Sequence, residues 1–157
     1  MKSIVIERRI AASPERTFEV FSDLEGAKDT ISAITKLELL TPGPVGKGTR
    51  WRETRLTFGR EATEEMWIDA FDPPRQYSVA AESGGARYLT TFDFLPDGSG
   101  GTNVKMVFGA EPVNLVAKVM GTLMGPLMAG AMQKALEKDM DELKAACETP
   151  ALAAVPA

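Results

Sequence analysis

A chain of 157 residues, 44% hydrophobic and 25% charged, has room for one ordinary domain with a core and a cavity, and would be cramped as two. Its net charge of −4 argues against a nucleic-acid surface, because Arg8–Arg9 and the Arg50/Arg52/Arg55 run are each interleaved with or followed by Glu. The sequence contains no histidine, which removes the commonest general base, the Ser-His and Cys-His nucleophile systems and most zinc and non-haem iron sites; neither a metal nor a cofactor is expected.

At the N-terminus, Glu7, Arg8 and Arg9 stand where a signal peptide would need an unbroken apolar core, so export by that route is not expected. Ser3 to Ala11 reads as a first strand. Ser13-Pro14-Glu15 then supplies an N-cap, a proline at the first helical position and an acid on the positive helix end, predicting a helix to about Leu24 with Phe18, Phe21 and Leu24 on one face. A second short helix is expected within Asp23 to Ile31, interrupted at Gly26, followed by a strand from about Ile34 to Leu40. Two prolines and three glycines make Thr41 to Gly48 a turn region.

Five further strands are expected at about Thr49 to Thr57, Arg60 to Phe71, Gln76 to Glu82, Ala86 to Leu95 and Thr102 to Ala110, separated by turn signals at Phe58-Gly59, Asp72 to Arg75, Ser83 to Gly85 and Pro96 to Gly101. Connections this short force antiparallel neighbours.

Val113 to Gln133 carries Lys118 as its one charge, and needs weighing as a membrane span. Its glycines, Asn114 and Pro126 count against that reading. The apolar spacing also continues into a charged helix, Lys134 to Lys144, with Leu136, Met140 and Leu143 on one side, as in a core helix emerging into solvent. No transmembrane segment is therefore expected. Gly125-Pro126 suggests a helical lead-in over Val113 to Met124 and a main helix from Pro126 to Cys147. Met120, Met124, Met128, Met132, Leu136 and Met140 recur every four residues, either as core packing or as a flexible cavity wall. The lone Cys147 allows no internal disulfide and fits a cytoplasmic location. The Ala/Pro-rich tail, residues 149–157, should be disordered, leaving one domain over residues 1–148.

The order strand, two short helices, six strands and one long helix resembles the helix-grip fold of the START-related superfamily, often called SRPBCC, which includes polyketide cyclases. The resemblance rests on Ile10-Ala-Ala-Ser-Pro-Glu-Arg-Thr-Phe18, Phe21-Ser-Asp23, Gly46-Lys-Gly-Thr49, Asp72-Pro-Pro-Arg75, Gly101-Thr102 and Leu136-Glu-Lys-Asp-Met-Asp-Glu-Leu-Lys144. It departs from a common pattern after Asp23, where Ala27 and Thr30 stand in place of tryptophans. The resemblance implies an α+β domain, a seven-stranded antiparallel sheet wrapped around a long C-terminal helix, with a cavity for a hydrophobic ligand. Lipid and sterol carriers share that superfamily, so lipid binding is one of the roles it implies.

One constellation could carry chemistry. Directly opposed residues of an antiparallel pair project to the same face. With Phe58-Gly59 at the tip of a two- or four-residue loop, Trp51 falls opposite Met66, Glu53 opposite Glu64 and Arg55 opposite Ala62, while Arg52/Glu65 and Thr54/Thr63 take the other face. If the first face lines the cavity, Glu53, Glu64 and Arg55 are candidate catalytic residues, since paired carboxylates can supply an acid and a base without histidine. The competing reading leaves both acids solvated at the sheet rim, or separated by a three-residue loop. Alternation further puts Tyr88, Thr90, Phe92 and Phe94 on one face, as it does Val104, Met106 and Phe108. The expected ligand wall is therefore Trp51, Met66, Tyr88, Phe92, Met106, Met128 and Met132.

The function expected is binding, as carrier or sequestering protein, of a small hydrophobic or aromatic molecule, with a cyclase or dehydratase using Glu53, Glu64 and Arg55 as the alternative. Whether a reaction is catalysed stays open, as does a homodimer.

Overall fold

The first strand shows how pattern becomes architecture. In β1 (Ile4–Ile10), Ile6 and Ile10 are buried while Glu7 and Arg9 face solvent, the period-two alternation of a sheet with one wet face. This is a computed structural model; it describes the backbone of residues 3–57, 59–83, 85–112 and 115–149, and the side chains of those segments except at 83 and 112–128.

Helix α1 (Pro14–Phe21) begins as the sequence implies, with the Ser13 hydroxyl accepting the Arg16 N–H at 3.1 Å. It stops at Phe21 rather than Leu24, because the Ser22 N–H and hydroxyl both turn back to the Phe18 carbonyl and the Asp23 carboxylate takes the Gly26 N–H at 3.1 Å. The second helix shrinks accordingly to one turn, α2 (Ala27–Thr30).

The remaining strands are β2 (Ile34–Leu39), β3 (Arg50–Thr57), β4 (Arg60–Asp72), β5 (Gln76–Ser83), β6 (Ala86–Pro96) and β7 (Thr102–Pro112). All pair antiparallel in one sheet of order β1-β7-β6-β5-β4-β3-β2. The β3–β4 hairpin closes on Thr57 opposite Arg60, with Gly59 at φ +76° in the tip, a conformation that costs glycine little.

Helix α3 (Leu115–Glu148) lies against the inner face of the sheet and runs unbroken through Gly125-Pro126, where a break was expected. Proline's fixed φ is itself helical; it forfeits one backbone bond, and a helix of 34 residues extends to both sides of that single loss. Among the described residues no helix is long and apolar enough to cross a membrane. The C-terminal turns of α3 are stitched to β1: Lys144 donates to the Arg9 carbonyl at 2.9 Å, Asp141 pairs with Arg8 at 2.7 Å, and Glu148 accepts the Ala11 N–H at 2.9 Å. Residues 150–157, where a disordered tail was expected, lie outside the described part.

The core fills the end of the grip near α1. Phe18 packs edge-on against Phe71, Tyr77 and Phe94, Tyr77 stacks on Phe92 and Phe94, and Met140, Leu143 and Cys147 close over them from α3. Burial pushes the Cys147 thiol up to about 11, so it stays a protonated packing residue.

The β6–β7 turn is held by Asp97, whose carboxylate accepts the Ser99 and Gly101 N–H groups at 2.7 and 2.9 Å and pairs with Arg9 at 2.7 Å. The Ser99 bond first, then the Gly101 bond and Arg9, hold its carboxyl below the ordinary value of 3.8. A folded-state value below the unfolded one means stabilisation that is present above pH 3.8 and lost as pH falls through the folded value. Asp97→Asn should therefore be less stable than wild type at pH 7, with the difference narrowing below about pH 4, as read from urea midpoints across that range.

Candidate functional site

Trp51, Glu53 and Arg55 alternate along β3 and so share the inner face. The predicted register holds: Glu53 lies directly opposite Glu64, Trp51 opposite Met66, and Arg55 opposite Ala62. A fourth residue joins them from α3. Arg55 donates from Nε to Glu53 Oε2 at 2.6 Å and from Nη1 to Asp139 Oδ2 at 2.8 Å, while Trp51 Nε1–H donates to Glu53 Oε1 at 3.2 Å. Trp51, Glu53 and Asp139 are only 2%, 7% and 4% exposed.

Two buried carboxylates thus share one guanidinium. Burial raises the Asp139 carboxyl above its ordinary range; Arg55 opposes that shift, and the neighbouring charges of Glu53 and Glu142 add to it. Arg55 itself is held cationic more firmly than usual by Asp139 and Glu53, against the cost of its burial. Because the folded value of Asp139 lies above the unfolded one, its ionised form costs stability at neutral pH, and that cost falls away as pH drops through the raised value.

Asp139 is the member of this cluster that sequence reading missed. It falls in a charged stretch that reads as solvated, yet it stands three residues after Leu136 and four before Leu143, on the apolar stripe that includes Met140. An acid on a core stripe was the available signal.

The remaining candidates separate by depth. Phe92 and Met106, 8% and 3% exposed, belong to the closed core, as does Trp51. Met66, Glu64, Tyr88 and Met132 are half-buried. Tyr88 stacks on Phe108, ring centroids 5.8 Å apart, and its phenol is raised by burial and by the charge of Glu64. On the sheet, Glu64, Met66, Val79, Tyr88 and Thr90 are the less buried part of the inner face. The side chain of Met128 lies outside the described part. A separate groove of about 420 Å³ lies outside the grip, between α1 and the β4–β5 turn, lined by Phe18, Phe71, Pro73 and Pro74 with Glu15 and Glu19. Among the described residues no group of three or more His, Cys, Asp or Glu side chains is placed to hold a metal ion.

A sequence-family model for polyketide cyclase/dehydrase and lipid transport proteins matches residues 1–148. Among solved structures, protein TTHA0849 from Thermus thermophilus is similar with 26% identity and a TM-score of 0.77, over 93% of this chain and 97% of that one. The Zhui aromatase/cyclase from a Streptomyces species is similar in fold with 14% identity and a TM-score of 0.75, over 94% and 93%. Ara h 8.0201 is likewise similar in fold, with 17% identity, a TM-score of 0.67, and coverage of 93% and 97%. Among curated proteins no sequence match is found.

Proposed function

The chain belongs to the polyketide cyclase/dehydrase and lipid transport family, and on that footing we propose that it binds a small hydrophobic or aromatic molecule between the sheet and the first half of α3, as a carrier or sequestering protein. The supporting observation is the asymmetry of the inner face. Near α1, Phe94 and Val104 are each 1% exposed; further along the same strands Tyr88, Thr90 and Phe108 are half-buried, two aromatic rings and one threonine on the same face. A wall of this composition with a few polar groups at one side suits a hydrophobic ligand. We assign the role to the cytoplasm, where the unpaired Cys147 stays reduced. Native mass spectrometry of protein purified from its own cell should show a bound small molecule, and calorimetric titration should find affinity among aromatic, sterol, quinone or fatty-chain ligands. Apo protein together with no binding across that set would refute the reading.

The buried carboxylates around Arg55 favour a second reading, a cyclase or dehydratase in which Glu53 and Glu64, beside Arg55, move protons on a folded polyketide-like chain. Under it, Glu53→Gln and Glu64→Gln should each lower turnover of a bound substrate by roughly 10²–10⁴-fold with little change in its affinity. Unaltered turnover in both variants would leave binding alone.

A further inference from the structure

Arg55 is the accessible member of its cluster. Its side chain is 27% exposed, against 8% for Glu53 and 5% for Asp139, so a molecule reaching this end of the inner face meets guanidinium rather than carboxylate. Two of its five N–H groups are engaged, one by each acid. Donors therefore remain, but the positive charge is already met twice, and Glu64 adds a further carboxylate directly across the hairpin. Elsewhere on the described inner face Arg8 is paired with Asp141. Among the described residues, Glu53, Glu64 and Asp139 thus outnumber the one guanidinium at this end of the face.

We propose that Asp139 sets the charge of the ligand: by neutralising Arg55 a second time it leaves a site that donates hydrogen bonds without attracting anions, so the protein takes a hydrophobic molecule carrying an uncharged oxygen, a carbonyl or hydroxyl, and refuses a carboxylate. This rests on the binding reading above. An uncharged acceptor can use the spare N–H groups with no charge penalty. A carboxylate must approach three negative groups at a partly buried guanidinium, where like charges repel more strongly than in open water.

The test is calorimetric titration at pH 7 of wild type with two matched pairs, decanol against decanoate and 2-naphthaleneethanol against 2-naphthaleneacetate. The alcohols should bind at least about tenfold more tightly than the acids, as like-charge opposition requires. In Asp139→Asn the acid should gain relative to the alcohol by at least about fivefold, since one negative charge is removed beside Arg55. A packing role alone would weaken both members of a pair together. Glu64→Gln, which leaves the Arg55 bonds intact, should narrow the ratio in the same direction and serves if Asp139→Asn does not fold. Equal or tighter binding of the acids by wild type, or a ratio unmoved in folded variants, overturns this inference while leaving the binding reading standing. Failure of wild type to bind any of the four overturns this inference, and joined with apo protein by native mass spectrometry and no binding across the wider ligand set it overturns the binding reading too.

Discussion

Replacing Arg55 with methionine should cost about 3–5 kcal/mol of stability, the range seen when one partner of a buried ion pair is removed. Three facts set that magnitude above the ~0–1 kcal/mol of an exposed pair. Both acids are buried, at 7% and 4% exposure for Glu53 and Asp139. Both bonds are short, 2.6 and 2.8 Å. The second bond also joins β3 to α3 across 84 residues of sequence, so losing it loosens the helix from the sheet as well as stranding a charge. Urea denaturation at pH 7 measures the loss. The gap between variant and wild type should narrow as pH falls, because the Asp139 carboxyl, already raised by burial, then takes up a proton and no longer needs its cation. Converting the whole set, Glu53→Gln with Arg55→Met and Asp139→Asn, should recover part of the loss, since removing all buried charges together strands none. A cost near that of a surface pair would show the cluster to be hydrated and unable to shape ligand choice.

How far this site could be read in the chain depends on the kind of information each residue carries. The pairing of Glu53 with Glu64 was legible because it is local: Phe58-Gly59 leaves room for a two-residue loop, and one closed pair sets every other in the hairpin. The faces of β6 and β7 were legible by alternation. Depth was not. Alternation puts Tyr88 and Phe92 on one face equally, and what makes Phe92 core and leaves Tyr88 half-buried is the packing of α1, whose Phe21 meets Phe92 at 5.7 Å. Asp139 lay beyond reach for a related reason. Its partner is 84 residues away, and although its spacing from Leu136 and Leu143 puts it on the apolar stripe, nothing local names Arg55 as the cation that meets it there. The break expected at Gly125-Pro126 came from a local rule outweighed by the length of the helix around it.

That difference in depth predicts opposite consequences for two aromatic residues on one strand. Phe94 is 1% exposed and touches Phe18, Phe21 and Tyr77. Cutting it to alanine should cost about 3–5 kcal/mol, since the surrounding rings belong to an element corner that cannot collapse into the space. Tyr88, six residues earlier on the same face, is half-buried and already borders solvent or ligand. Tyr88→Ala should cost less than the ~2–5 kcal/mol typical of a fully packed large side chain, because it widens an existing space instead of opening a new one. Affinity should respond in the reverse order: Tyr88→Ala weakens binding of a naphthalene-based ligand, whereas Phe94→Ala, measured at a temperature where it remains folded, leaves it nearer to wild type. Paired urea denaturation and calorimetric titration of the two variants decide the matter. Equal large destabilisation in both, with affinity unmoved in Tyr88→Ala, would mean that the grip is packed from end to end and that the ligand, if one binds, sits elsewhere.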